Sequence, residues 1–480
     1  MSAGALRYPA VVAASAPNVP TRLRAPFGWP LVELAPGVAV ELSWPQPPAE
    51  SAHGGWLRVT TGIDDRDQKR VEVKLATSGR VIGEFDLRFA HAQEAFQVRL
   101  DAETWSAVAH EGVTLTLLEP VKRPLWLLGN SDTMPASLSP HLLAEDATTD
   151  RSDRLFELLG SVASVQPFGW MEGCVLDGLN DLAETTGSAQ WAQACDAHLG
   201  LFFKPDGTLV YEDPGSAPAD NAIHCIEETL PFAVLAKRDP QHPLLPLALD
   251  YWAGLTREDD SVEADDRLVS TEGSYTIAYP MAAIARLRGD RVLAELAAKQ
   301  LRIRRDLLRR EDGLWLRYWR KTGEHHFRSW ARGVTWYLQG LERSLRELRG
   351  LVDTADLEDE FHASATWAAG LQRANGLWGC FLDDPACNVD TSGSAGIAAA
   401  LARGVRAGVL PVGFERHARA AWNGLQAHLQ PDGMLNGGAQ SNRGGEALQR
   451  GDYRVLTLLG TGLMGQLASA LGIDDATVTS

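Results

Sequence analysis

RANGLW, residues 373–378, follows a segment of helical period and stops it with Asn-Gly. That dipeptide supplies the residue with positive φ that ends a helix. KPDGTL (204–209), REDGLW (310–315) and QPDGML (430–435) repeat the punctuation. Their glycines stand at 207, 313, 376 and 433; the last two intervals are 63 and 57 residues. The first interval, 106, is close to two shorter ones, and the acidic REDDSVEADD (257–266) sits near its midpoint. Between these turns the apolar residues predict twelve helical segments: 153–165, 171–187, 189–200, 224–238, 243–256, 274–288, 290–310, 330–349, 355–373, 391–406, 413–429 and 455–471. A helix pair repeated about six times predicts a closed toroid of hairpins, an (α/α)₆ barrel, with an open solenoid as the alternative.

Upstream the period changes. Val71, Val73 and Leu75 alternate with Glu72 and Lys74; Phe85, Leu87 and Phe89 alternate with Glu84, Asp86 and Arg88. Phe96, Val98 and Leu100, then Val113, Leu115 and Leu117, continue the pattern. Strands with one buried and one wet face, closely spaced, predict an antiparallel β-sandwich. RPLWLLGNSDTMPASLSPHL (123–142) reads as a Pro/Ser-containing connection, which places a domain boundary near 135. The expected architecture is an all-β sandwich over 1–135 and an all-α barrel over 136–480.

Composition limits the function. The net charge of -17 argues against a nucleic-acid partner, which needs a basic face. A small anion remains compatible, because one or two pocket arginines can hold a carboxylate. Fifteen Trp against eight Tyr supply either sugar platforms or core. Five Cys, an odd number without CxxC spacing, predict reduced thiols and a cytoplasmic address. MSAGALRYPAVVAASAP at the N-terminus is too weakly apolar for a signal peptide, and no segment reaches the length of a membrane span. His325 and His326 lack metal spacing and read as a solvated loop, while QSNRGGEALQRGDYR (440–454) reads as a lid or a long connection. No phosphate loop, dinucleotide fingerprint or GxSxG is present, so no cofactor is expected.

RSWARGVTWYLQGLERSLREL (328–348) is the most specific segment, and it resembles the W-x-R-G-x-x-W helix start of glycoside hydrolase families 88 and 105. FGWMEGCVLDGLNDLAETTG (168–187), NVDTSGSAGIAAALARGVRAGVL (388–410) and LLGTGLMGQLASAL (458–471) resemble further segments in the order those families have them. The resemblance spans about 150–475 and leaves the sandwich aside. It implies an (α/α)₆ barrel, no metal, and hydration of the C4=C5 double bond of a terminal unsaturated uronic acid.

The resemblance also implies roles. Arg332 and Trp336, four apart at a helix start, would hold the uronate carboxylate and the sugar ring; Trp330 is wall or core. TEGSYTIAYPM (271–281) has Glu272 where the families have a catalytic Asp, with Tyr275 beside it. NAIHCIEETLPFAVLA (221–236) offers His224, Glu227 and Glu228 for the other acid, or simply charge at a helix start. Trp170 and Glu172 sit near the expected barrel mouth. Asp390, Thr391, Ser392 and Ser394 contact sugar hydroxyls or cap the following helix.

These readings converge on a glycosidase acting on small uronic-acid oligosaccharides, with the sandwich completing the rim or mediating homodimer contacts. Both acids being Glu, and RGVTW where family 105 usually has Asn after the glycine, keep a saturated β-glucuronidase on the same fold in view. A lyase using Tyr275, Tyr279 or His224 as base, and a non-catalytic sugar-binding protein, are the readings from other classes.

Overall fold

The computed structural model of the protein describes residues 7–118, 123–145, 150–263 and 268–474. Part of the acidic stretch at 257–266 lies outside the described residues.

Six helices form a closed ring. Trp170–Thr186, Pro231–Arg238, Tyr279–Arg288, Ala331–Leu348, Thr391–Arg406 and Leu458–Leu471 each pack on the next, and the last packs on the first. Six more lie outside: Arg151–Leu159, Ala189–Phe202, Leu245–Leu255, Arg291–Leu308, Ala355–Gly370 and Glu415–Gln426. All twelve helical segments read from the sequence are occupied by helix. The inner helices are buried on nearly every face, which is why they are rich in Ala, Gly and Leu. Trp170–Thr186 and Leu458–Leu471 pack backbone to backbone, because a Cβ on Gly178 would lie 2.5 Å from the Gly462 carbonyl oxygen.

The turns that punctuate the ring share one hydrogen-bond scheme. Lys204 N donates to Thr208 O and Gly207 N to Lys204 O; Arg373 with Leu377 and Gln430 with Met434 repeat it. The acidic stretch holds the fourth copy. Arg257 N donates to Ser261 O, and Asp260 takes the glycine position at φ 64°. Asp tolerates this left-handed backbone, so the repeat is hidden from a search for glycines. REDGLW differs: it starts a hairpin, Gly313–Trp319 paired with Glu324–Arg328. His325 and His326 therefore lie on a strand, not in a loop, and His325 Nε2 is 2.9 Å from Leu307 O.

The N-terminal part is built on two antiparallel sheets. One has four strands, with Gly55–Thr60 between Ala95–Leu100 and His141–Ala144. The other has five, with Val113–Leu117 and Gln68–Leu75 at its centre. Side chains of both, Leu57 and Val98 from the first and Val73 and Leu115 from the second, share one apolar cluster. The segment read as a connection contains two strands, Leu125–Leu128 and His141–Ala144. LWLL is buried at all four positions, so it has no alternation to read. A helix, Ala102–Glu111, was also missed by the strand reading; Asp101 caps it by accepting from Thr104 N at 2.8 Å. Phe89 falls just beyond its strand, at φ 56°.

Ionic contacts pin the sheets to the ring. Arg58 and Asp432 are fully buried and 2.5 Å apart, with Arg7 3.2 Å from the same carboxylate oxygen. Burial alone would raise Asp432, but the two arginines outweigh it and hold its carboxyl down at about 2. Arg24 reaches Asp220 at 2.6 Å, and Arg443 reaches Asp64 at 2.6 Å. The second of these brings a sheet-unit loop over one end of the ring.

Candidate active site

That end of the ring holds a cavity of about 450 Å³. Glu227, Glu272, Arg317, Trp170, Trp330, Arg332 and Trp336 line it, with His91 from the sheet unit and Ser441, Asn442 and Arg443 from the long polar loop. Six of the residues singled out from the sequence thus face one space.

Local structure explains their placement. The strand Leu268–Ser270 pairs with the hairpin, Ser270 opposite Arg317, and delivers Glu272 into the cavity immediately afterwards. A π-helical turn at Ser274–Ala278 follows before the regular helix. It fits because Gly340 on the neighbouring helix has no side chain; a Cβ there would lie 2.2 Å from the Ser274 carbonyl carbon. Glu272 Oε1 accepts from Asn442 Nδ2 at 3.1 Å and lies 3.6 Å from Arg317 Nη2.

Glu227 sits at the start of the Ile226–Thr229 turn, open to the cavity but otherwise enclosed by protein. Burial, and next the charge of Glu272, push its carboxyl up to about 7. Two carboxyl groups therefore share one space, one held by Arg317 and Asn442, the other favouring its proton near neutrality.

Arg332 is almost wholly buried. Its Nη2 donates to Gln440 O at 2.5 Å, while its Nε has no hydrogen-bond partner. It makes no ion pair among the described residues, and Asp390, Glu94 and Glu272 act on it only from a distance. Its guanidinium carbon is 5.0 Å from the ring of Trp330 and 5.5 Å from that of Trp170. Burial lowers its pKa, although nearby carboxylates oppose that shift. A buried cation beside the cavity with no carboxylate in direct contact is suited to receive an anion. Trp336 meets Trp170 edge-on at 5.5 Å and stacks on Tyr275 at 5.9 Å.

The other candidates face elsewhere. Glu228 Oε2 accepts from Tyr211 Oη at 2.7 Å and from His224 N at 2.6 Å, so this acid organises the turn beneath the cavity. The His224 side chain is exposed and does not line the cavity. Tyr275 is fully buried and donates its hydroxyl to Asp177, which makes it support for Trp336 rather than cavity wall. Asp390 caps its helix: Oδ1 accepts from Ser392 N at 3.0 Å and from Ala439 N at 3.0 Å. Thr391 Oγ1 donates to Asn436 O at 2.9 Å. Glu172 is buried with His198 at 2.8 Å and lies behind the wall.

His91, Arg317, Asn442 and Arg443 were not singled out from the sequence. His91 lies in FAHAQEAF (89–96), between two strands, where nothing distinguishes a site residue from a turn residue. Arg317 sits in a strand that helical periodicity cannot reveal.

The profile of Glycosyl Hydrolase Family 88 matches residues 275–468, downstream of both cavity glutamates. No curated protein sequence matches the chain. Solved structures share the fold. A possible member of family 105 from Salmonella enterica serovar Paratyphi A is 16% identical, with 72% of this chain and 98% of that one covered at TM-score 0.57. A family 105 glycoside hydrolase from C. acetobutylicum is 20% identical, covered over 67% and 99% at TM-score 0.56. An unsaturated glucuronyl hydrolase responsible for glycosaminoglycan degradation, from Bacillus sp. GL1, is 16% identical, covered over 67% and 94% at TM-score 0.50. The profile match indicates a glycoside hydrolase, and the solved structures share its fold. Within that class the chain resembles families 88 and 105 and is similar to unsaturated glucuronyl hydrolases.

Proposed function

We propose that the protein removes a terminal 4,5-unsaturated uronic acid from small oligosaccharides by vinyl-ether hydration. The observation that carries this reading is the buried Arg332, without a carboxylate partner, in the same cavity as a glutamate that favours its proton near neutrality. Arg332 takes the uronate carboxylate, and Trp170 and Trp336 flank the sugar ring. Protonated Glu227 gives its proton to C4. Water adds at C5 as Glu272 accepts a proton from it. The resulting hemiketal opens, the bond to the next sugar breaks, and that sugar leaves with a hydroxyl. The proton on Glu272 then returns to Glu227 through solvent, so each turnover consumes one water. A UGL variant holding dGlcA-Glc-Rha-Glc is among the structural neighbours and supports the choice of substrate class.

The reading extends to the whole chain. We divide it into a β-sandwich domain and an (α/α)₆ barrel, with the division after Ala144 rather than near 135, because His141–Ala144 pairs with Gly55–Thr60 in the N-terminal sheet. Five unpaired thiols fit a reducing, cytoplasmic setting. No helix among the described residues is long and apolar enough to cross a membrane.

The test is ultraviolet absorbance of lyase-generated unsaturated disaccharides incubated with the protein. Loss of the absorbance of the conjugated double bond is the expected result. Intact absorbance across the panel, with glucuronic acid released from saturated β-glucuronides, would replace hydration with ordinary glycoside hydrolysis. Arg332→Lys is expected to raise KM about 10- to 100-fold with little change in kcat, because an ammonium lacks the planar fork that fits a carboxylate. A change confined to kcat would mean that Arg332 does not hold the ground-state substrate.

A further inference from the structure

The sheet unit places one titratable side chain, His91, against the cavity wall, and its surroundings resemble a prepared contact more than a packed surface. The loop carrying it is held in an unusual shape. Phe89 and Gln93, two residues before and two after, both adopt left-handed backbone at φ 56° and 62°. Strain at residues with a Cβ persists only where the surroundings impose it. Here they do: His91 N donates to Glu94 Oε2 at 3.0 Å, Gln93 N to Thr61 O at 2.7 Å, and Gln93 Nε2 to Val165 O on the ring.

The imidazole itself is oriented. Its Nδ1 faces Asp64 Oδ2 at 3.5 Å, and Arg443 holds that same oxygen at 2.6 Å. Burial, foremost, keeps the ring neutral by lowering its pKa. With the hydrogen on Nδ1, turned toward Asp64, Nε2 is left as an acceptor, and no protein group uses it. Across Trp170 lies the complementary gap. Arg332 Nε is a buried donor without a partner, and both side chains sit against that indole: His91 at 6.2 Å between ring centroids, the Arg332 guanidinium carbon at 5.5 Å. A buried orphan donor and a buried orphan acceptor each cost free energy until a partner arrives. A carboxylate can serve Arg332 but not His91 Nε2, which needs a donor. A sugar hydroxyl is such a donor.

We infer that His91 is a sugar-binding residue supplied by the sheet unit, accepting a hydrogen bond from a hydroxyl of the bound saccharide at the wall it shares with Arg332. This rests on the uronide reading only in taking the ligand to be that sugar. The consequence is selectivity: an ether or sulfate ester at that hydroxyl removes the proton His91 needs and adds bulk beside Trp170. The structural neighbours are covered almost end to end by about two thirds to three quarters of this chain, so a part about the size of the sheet unit is additional to them.

The experiment is calorimetric binding to the full chain carrying Glu227→Gln, so that turnover is slowed enough to read binding. The ligands are an unsulfated unsaturated uronyl disaccharide, its singly O-methylated derivatives, and methyl β-glucuronide. His91→Ala is expected to weaken binding of the unsulfated disaccharide about tenfold, and His91→Gln, which keeps an acceptor, to recover part of the loss. One O-methyl derivative should bind the parent about tenfold worse and His91→Ala no worse than the unmodified sugar. Equal binding within twofold by parent and His91→Ala, with circular dichroism unchanged, would overturn the inference. Activity separates it from the functional proposal. If unsaturated uronides are neither bound nor cleaved but methyl β-glucuronide loses affinity on His91→Ala, the inference stands and the hydration reading falls. A parent that binds none of these sugars overturns both.

Discussion

Glu227→Gln is expected to lower kcat on an unsaturated uronide by about 10³-fold while substrate affinity stays within about threefold. The amide occupies nearly the same volume and can still hydrogen-bond, so the sugar docks; what it cannot do is release a proton to carbon. The wild-type pH profile follows from the same group. Burial and the neighbouring Glu272 charge set Glu227 at about 7. The acid must be protonated to act, so kcat/KM for the free enzyme should hold below that value and fall as pH rises through it. A profile that instead rises through pH 7 would exchange the roles of the two glutamates.

Replacing Glu227 should move stability the opposite way to activity. A carboxyl whose pKa is raised on folding binds its proton more tightly in the native state. The native state therefore loses stability as pH climbs from the ordinary carboxylate range through about 7. Gln carries no such charge. Glu227→Gln should melt at a temperature near wild type at pH 5 and higher than wild type at pH 8, the gain being on the order of 2 kcal/mol. An inactive variant that is also less stable at pH 8 would point to lost packing rather than a lost proton donor.

The sequence reveals the ring more clearly than the site because helical period is written in many residues and a pocket in few. Twelve helices follow from apolar spacing, and three of the four turns of one shape follow from Asp-Gly and Asn-Gly. Asp260 conceals the fourth, since its side chain gives no sign of its left-handed backbone. Arg332, Trp336 and Trp170 were legible through a motif. Glu227 and Glu228 were not separable, because adjacent residues at a turn point in different directions and only the fold decides which meets the cavity. Glu228 is taken up by Tyr211 and the turn backbone, leaving Glu227 for the open space. His91 was invisible for a simpler reason: it reaches the site from another part of the chain, and no local pattern encodes that approach.

Arg343→Met is expected to cost about 3–5 kcal/mol, or to prevent folding at neutral pH, although Arg343 touches no part of the cavity. Its Nη2 donates to Asp181 Oδ2 at 2.6 Å, and its Nη1 lies 3.4 Å from Asp177 Oδ1. All three side chains are buried at the centre of the ring. Arg403, 3.4 Å from Asp181 Oδ2, is already committed to Glu342 at 2.6 Å, so it cannot replace the lost cation for both aspartates. Without Arg343, burial favours protonated aspartates, and the variant should regain stability relative to wild type as pH falls from 8 to 5. Equal destabilisation at both pH values would mean that lost packing, not stranded charge, is the cause. The damage should also reach the substrate. Asp177 accepts hydrogen bonds from Tyr275 and, at 2.9 Å, from Tyr279, and Tyr275 stacks beneath Trp336 at an interplanar angle of 14°. Releasing Asp177 loosens Tyr275 and then the indole above it. At pH 5, where enough of the variant should fold for assay, KM should therefore rise more than kcat falls. Tyr275→Phe removes the same hydrogen bond while leaving Arg343 in place, and should reproduce part of that KM effect with a much smaller loss of stability, which locates the coupling in the Asp177–Tyr275 bond.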